Sequence, residues 1–167
     1  MTSKQMARIA ILAALAFVLR MTFSHLPNIQ PISALFLLTT LMMGYYEAIL
    51  AMIISILLSS FLLGFGPWVF WQITAFIMIM TIWRFLLYPL TKKIKGPEIV
   101  MQSLFAAILA FFYGLIIDSC FAYLYSMPWW SYLLAGTVFN GLHAISTFLF
   151  YPILLTIFRR VFNDKVF

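Results

Sequence analysis

Three polar residues interrupt long apolar stretches in the second half of the chain: Asp118, Asn140 and His143. An ionisable side chain inside a membrane-type segment is costly, so it usually faces a cavity or a partner. Asn140 and His143 are three apart and therefore share one face of a helix. These groups can bind a ligand. The alternatives are that Asn140 and His143 join helices by hydrogen bonds, and that Asp118 simply reaches the outer water.

Groups for catalysis or metal binding are too sparse for an enzyme. The chain has four acids, two histidines and one cysteine. A lone Cys120 excludes an internal disulfide and a multi-cysteine metal site. A Gly-rich phosphate loop with its Lys-Ser/Thr pair is also missing from the sequence. We therefore predict no catalytic residue, no metal and no cofactor, and any uphill step must draw its energy from a partner.

The composition places the chain in a lipid bilayer. Apolar residues make up 65% and charged residues 8%, against about 25% charged residues in a soluble domain. The first apolar run follows a short polar start without a small-residue cleavage site, so it is expected to remain as a helix. The length suits one domain, residues 1–167, with about six spans. The net charge of +6 is attributed to topology and anionic lipid, and no nucleic-acid partner is expected.

Prolines, glycines and polar stretches divide the chain into six helices. We predict an all-α membrane bundle with helices at residues 4–21, 32–43, 45–63, 67–88, 98–125 and 131–158. The connections at residues 24–31, 89–97 and 126–130 are predicted loops. The second helix is short, with roughly 12 residues against the ~20 needed to span a bilayer, so its path is open.

The basic residues predict the orientation of the bundle. Six crossings place nine of them on the side of the termini: Lys4, Arg8, Arg84, Lys92, Lys93, Lys95, Arg159, Arg160 and Lys165. Three acids, Glu47, Glu98 and Asp164, fall on the same side. The opposite side keeps only Arg20. The excess of Lys and Arg in cytoplasmic loops therefore places both termini in the cytoplasm.

The predicted outer side collects polar and aromatic side chains that suit a small-molecule pocket. The candidates for ligand contact are Asn28, Gln30, Trp68, Gln72, Asp118, Asn140 and His143, and Tyr123, Tyr125 and Trp130 are candidates to line or cap the site. The alternative is an aromatic belt at the headgroups. A belt would appear at both interfaces, whereas four of the five tryptophans lie on this side and only Trp83 near the other.

Helix 1 carries a second candidate surface. Ala10 and Ala14 are four apart, and small residues at that spacing let another helix approach closely in lipid. The partner is either a separate protein or another helix of the same bundle.

These features resemble the substrate-binding S-component of an energy-coupling factor (ECF) transporter. The resemblance rests on the size, the six helices, the Ala10-x-x-x-Ala14 pair and three stretches, at residues 27–31, 62–68 and 71–73. These read Pro-Asn-Ile-Gln-Pro, Leu-Leu-Gly-Phe-Gly-Pro-Trp and Trp-Gln-Ile. They are similar to a subgroup associated with cobalamin, and pantothenate and queuosine S-components remain alternatives.

The resemblance implies a function in the prokaryotic plasma membrane. Such a subunit captures a vitamin from outside, docks on a transmembrane scaffold bound to two ATPases, and topples to release the vitamin inside. Ala10 and Ala14 would form its docking face. Two other classes stay open at this point: an intramembrane enzyme, which needs an acid–base or metal constellation, and a membrane assembly protein that binds no ligand.

Overall fold

Proline and glycine end the apolar runs where the sequence predicts. In the computed structural model, which describes residues 1–162, the helices are α1 Ser3–Thr22, α2 Ile32–Met42, α3 Tyr45–Leu63, α4 Pro67–Thr91, α5 Glu98–Leu124 and α6 Trp129–Phe162. Gly44, with φ +96°, forms the sharp junction between α2 and α3, because residues with a side chain rarely adopt that backbone conformation. The described part of the chain is a helical bundle, as predicted.

The short helix α2 lies inside the bundle. Five helices are long and apolar enough to cross a membrane, and α2 is the shorter exception. Its 11 residues rise only about 16 Å. Residues 32–41 are all buried, and α2 packs against each of the other five helices. Because protein rather than lipid surrounds it, α2 is not required to match the thickness of the bilayer.

Aromatic side chains fill the core around α2. Phe36 of α2 meets Phe76 of α4 edge to face, with ring centroids 5.1 Å apart. Trp83 and Tyr151 are fully buried and also pack edge to face. The outward faces of the long helices are apolar as well, with Phe61 and Val138 each 76% exposed. A bundle that is apolar inside and outside suits a lipid environment.

Helix α4 continues past the predicted end at residue 88. A π-helical turn, Trp83–Leu87, precedes a last helical turn, Tyr88–Thr91. Pro89 lacks an N–H, and in a regular α-helix its ring would clash with the carbonyl four residues earlier. The wider turn, closed by the Tyr88 N–H to the Trp83 carbonyl, accommodates the proline. Placing Pro89 in the loop was therefore wrong.

Helix α6 starts two residues before the predicted start. The chain leaves α5 through Ser126, in the left-handed conformation with φ +51°, and the Met127 N–H returns to the Ala122 carbonyl at 2.9 Å. This closed turn is compact enough for α6 to begin directly after Pro128. Trp129 and Trp130 are therefore helical and do not form part of a loop.

Polar contacts show which helix ends lie together. Near the starts of α1 and α3, Arg8 and Glu47 form an ion pair at 3.1 Å. At the opposite end of the bundle, Arg20 near the end of α1 meets Gln72 in the first turns of α4. The start of α1 thus lies beside the start of α3, and the end of α1 beside the start of α4. The six crossings and the assignment of the first end to the cytoplasm stay predictions. Lys165, which was used for that assignment, and Asp164 lie outside the described residues.

Candidate ligand cavity

A cavity of about 270 Å³ opens at the end of the bundle that holds Arg20 and Gln72. Side chains from α1, α4, α5, α6, the start of α2 and the loop between α1 and α2 line it. Six of the ten predicted ligand residues are among them: Asn28, Gln30, Gln72, Asp118, Asn140 and His143. Phe76, Tyr113, Phe121 and Phe139 supply aromatic walls. This is the mixture of apolar surface and few polar groups expected of a ligand site.

His143 fixes the loop between α1 and α2 against α6. Its Nδ1 lies 3.1 Å from the Asn28 carbonyl oxygen, which can only accept, so Nδ1 carries a proton. Its Nε2 lies 2.8 Å from the Ser33 hydroxyl. Both ring nitrogens are therefore bonded within the protein, and His143 offers the cavity its ring rather than a free nitrogen.

Further side-chain bonds hold the same loop. The Asn28 amide donates to the Phe139 carbonyl at 2.9 Å, and the Ser146 hydroxyl donates to the Gln30 carbonyl at 3.0 Å. Asn28 has a left-handed backbone, with φ +59°, which Asn tolerates better than most residues. The loop is thus a fixed wall of the cavity.

Asp118 and Asn140 form a polar pair between α5 and α6. The Asn140 amide donates to the Asp118 carboxylate at 2.6 Å. Each side chain lies over a glycine of the facing helix: Asp118 over Gly136, and Asn140 over Gly114. A Cβ at either glycine would overlap with the polar side chain. The sequence analysis missed the spacing that indicates this contact. Asp118 lies four positions after Gly114 on α5, and Asn140 lies four positions after Gly136 on α6.

Arg20 is the main cavity residue that the sequence analysis missed. Its Nη2 donates to the Gln72 side-chain oxygen at 3.0 Å. Its Nε and Nη1 are buried and have no hydrogen-bond partner among the described residues. The signal was present in the sequence, since Arg20 is the one cation predicted on the outer side. The sequence analysis used Arg20 only to predict the orientation of the bundle.

The predicted aromatic residues lie around the cavity mouth or on the surface. Trp68 and Tyr125 both stack on Phe121, at centroid distances of 6.4 and 5.9 Å, and Phe121 itself lines the cavity. Tyr123 is 88% exposed and lines a separate surface depression, while Trp130 is 69% exposed beside Trp129. The structure thus groups Trp68 and Tyr125 with the cavity through Phe121 and places Tyr123 and Trp130 away from it.

The cavity contains polar groups that can bind a ligand. Fixed amide, carboxylate and guanidinium groups give it donors and acceptors of set direction. No group of three or more His, Cys, Asp or Glu side chains placed to hold a metal occurs within residues 1–162.

Ala10 and Ala14 line an apolar groove on the outside of the bundle. The groove measures about 390 Å³ and runs between α1 and α3, past Leu50, Ile54 and Leu58. Ala10 and Ala14 are exposed, while Ala13 and Ala16 are buried. The close packing of α1 inside the bundle therefore uses Ala13 and Ala16, and leaves the Ala10–Ala14 face open.

One comparison with known proteins gives a match. A family model described as "ECF transporter, substrate-specific component" matches residues 4–155, which is most of the 167-residue chain. No curated protein and no solved structure matches significantly.

Proposed function

Since the chain belongs to the family of substrate-specific components of ECF transporters, we propose that it captures a vitamin outside the cell and passes it to the cytoplasm. The family is one of transport components, so the chain works with ECF scaffold and ATPase subunits and a small-molecule substrate. In this proposal the chain sits in a prokaryotic plasma membrane with both termini inside. It hydrolyses nothing itself.

The observation that carries the proposal is the polar cavity at one end of an otherwise apolar bundle. Arg20, Gln72 and Asp118 come from three different helices and line one space. Polar groups in a membrane bundle are expensive. Arg20 and Gln72 bond to each other, but the Nε and Nη1 of Arg20 stay unpartnered among the described residues, and the convergence of these groups on a cavity supports a ligand site. In the assembly-protein alternative these side chains would only join helices.

The size of the cavity bears on which vitamin it takes. The resemblance of the stretches at residues 27–31, 62–68 and 71–73 to the subgroup associated with cobalamin favours that vitamin. The volume of about 270 Å³ lies just below the range of about 300–1,000 Å³ for ligand pockets. A corrinoid is far larger and would insert only in part, unless the helices separate. The cavity therefore favours a smaller vitamin, such as pantothenate, and queuosine remains a candidate.

The groove between α1 and α3 is the proposed docking surface for the scaffold. It is apolar, and Ala10 and Ala14 form part of its floor. Small side chains let a partner helix approach closely, and packing drives helix association in lipid. The groove lies on the half of α1 away from the cavity, so docking would leave the cavity accessible.

Titration calorimetry of the purified chain in detergent tests the proposal. Cobalamin, pantothenate, queuosine and a panel of other vitamins are titrated in turn. We expect one of them to bind, and Asp118→Ala to weaken binding roughly tenfold or more, because it removes a hydrogen-bonding charge from the cavity. Tyr123→Ala is the control, since that side chain is exposed outside the cavity, and it should leave the affinity unchanged. Absence of binding across the panel contradicts the proposal.

A further inference from the structure

Arg20 is held towards the cavity but is incompletely bonded. Gln72 accepts one hydrogen bond from its Nη2. Nε and Nη1 together carry three of the five N–H groups of a guanidinium, and both atoms are shielded from solvent without a partner. No carboxylate of the described residues forms an ion pair with Arg20. A charged donor left in this state is costly.

The simplest alternative is an arginine that extends towards water or lipid headgroups. The contacts argue against it. The bond to Gln72 ties the guanidinium to α4, and Arg20 lines the same cavity as Asp118 and His143. A side chain that extends to headgroups exposes its nitrogens, whereas Nε and Nη1 are buried. An apolar residue at position 20 would give the folded protein greater stability than a buried arginine does.

The other ionisable groups of the cavity, Asp118, His143 and Tyr113, do not neutralise Arg20. The Tyr113 phenol is uncharged at neutral pH. The Asp118 carboxylate is bonded by Asn140 on the α5–α6 side. Both nitrogens of His143 are engaged by Ser33 and by the Asn28 carbonyl. Arg20 therefore brings a positive charge without an ion-pair partner among the described residues to the wall of the cavity, while Asp118 presents a carboxylate elsewhere on the wall.

We propose that Arg20 recognises a carboxylate of the ligand, so that the transported vitamin is a small organic acid. This inference rests on the proposed function. A carboxylate accepts from several guanidinium N–H groups at once, and once the guanidinium turns towards the ligand it supplies the partners that Nε and Nη1 lack. Asp118 takes a hydroxyl or amide donor of the same ligand. The Asp118 charge and the small volume of the cavity disfavour a ligand with several carboxylates.

Matched pairs of an acid and its uncharged counterpart test the inference. Pantothenate is compared with panthenol, and nicotinate with nicotinamide, by calorimetry on the purified full chain, alongside cobalamin. We expect an acid to bind and its counterpart to bind roughly tenfold to a hundredfold more weakly, the effect of losing a hydrogen-bonded charge. Arg20→Gln should weaken binding of the acid by a similar factor and abolish the preference for the acid.

Arg8→Gln is the matched control. Arg8 lies on the same helix, but it pairs with Glu47 at the opposite end, so the variant should bind the acid as the wild type does. Arg20→Lys keeps the charge but loses the planar donor fork, and an intermediate affinity is expected. If Arg20→Gln does not fold, Arg20→Lys provides the comparison. Without ligand, Arg20→Gln should melt no lower than the wild type, because it removes an unpartnered charge.

The outcomes separate this inference from the proposed function. Tight binding of cobalamin or another vitamin without a carboxylate, equal in the wild type and Arg20→Gln, overturns the carboxylate proposal and leaves the transport function standing. A lower melting temperature of Arg20→Gln with unchanged affinity also overturns it, because Arg20 is then structural. Failure of every acid, counterpart and other vitamin to bind overturns the proposed function and this inference together.

Discussion

Replacing His143 by Phe tests whether this residue holds the protein together or contacts the ligand directly. The ring is 2% exposed, and its partner Ser33 is fully buried. Phe keeps an aromatic ring in place but removes both hydrogen bonds, to the Ser33 hydroxyl at 2.8 Å and to the Asn28 carbonyl at 3.1 Å. The partners left behind are then unsatisfied in an apolar interior.

The loss of stability follows from these two bonds. A side-chain hydrogen bond between membrane helices contributes about 0.6 kcal/mol on average and up to about 1.7 kcal/mol. Losing both therefore costs about 1–3 kcal/mol. In a chain of this length about 1 kcal/mol shifts the melting temperature by roughly 2–4 °C. We expect His143→Phe to melt about 2–12 °C below the wild type, and Ser33→Ala, which loses one bond, to show about half that shift.

Thermal unfolding of the ligand-free protein in detergent provides the measurement. Thr74→Ala is the control, because the exposed Thr74 hydroxyl bonds only to the backbone of its own helix, and its melting temperature should stay close to that of the wild type. In the double variant Ser33→Ala/His143→Phe, the loss should be smaller than the sum of the two single losses, since the shared bond is counted once. An unchanged melting temperature for His143→Phe, with vitamin affinity lost, would refute this reasoning and make His143 a direct ligand contact.

Two further variants test the glycine contact and the docking groove. Gly136→Ala places a Cβ against the Asp118 carboxylate, so we expect a lower melting temperature and weaker vitamin binding. Gly141→Ala in the same helix meets open space and should be neutral or stabilising by up to about 1 kcal/mol; equal effects of the two variants would contradict the close approach. Ala14→Phe should reduce co-purification of the ECF scaffold roughly tenfold, which corresponds to about 1.4 kcal/mol, with vitamin affinity unchanged. Val138→Phe, at another exposed position, is its control, and full scaffold recovery with Ala14→Phe would count against the groove as the docking surface.

The helices could be predicted because local residues decide where they end. Gly44 and the prolines at 31 and 67 stand beside the starts of α2, α3 and α4, and each acts on its own segment of backbone. Pro89 was misplaced because the sequence does not show that a π-helical turn can absorb it. The burial of α2 could not be predicted from the sequence either, because it depends on how the other five helices surround it.

The composition of the cavity was predicted better than its geometry. Polar residues in a largely apolar sequence stand out, and six of them, four in helices and two in the loop between α1 and α2, do meet in one space. Which aromatic rings face that space depends on helix rotation, and Tyr123 and Trp130 turn away from it. The importance of Arg20 emerges only from the atoms around it, because its lack of partners depends on how several helices pack around the cavity.

Helix α1 contributes residues both to the ligand cavity and to the docking groove. Its sequence from Ser3 to Thr22 contains no proline and no glycine, so it has no evident hinge. Arg20 at one end faces the cavity, and Ala10, about 15 Å away along the axis, faces the groove. The helix packs mainly against α3. Any tilt of this helix that moves the backbone at Arg20 therefore also moves Ala10, so the geometry of the cavity and the width of the groove are linked through a single helix.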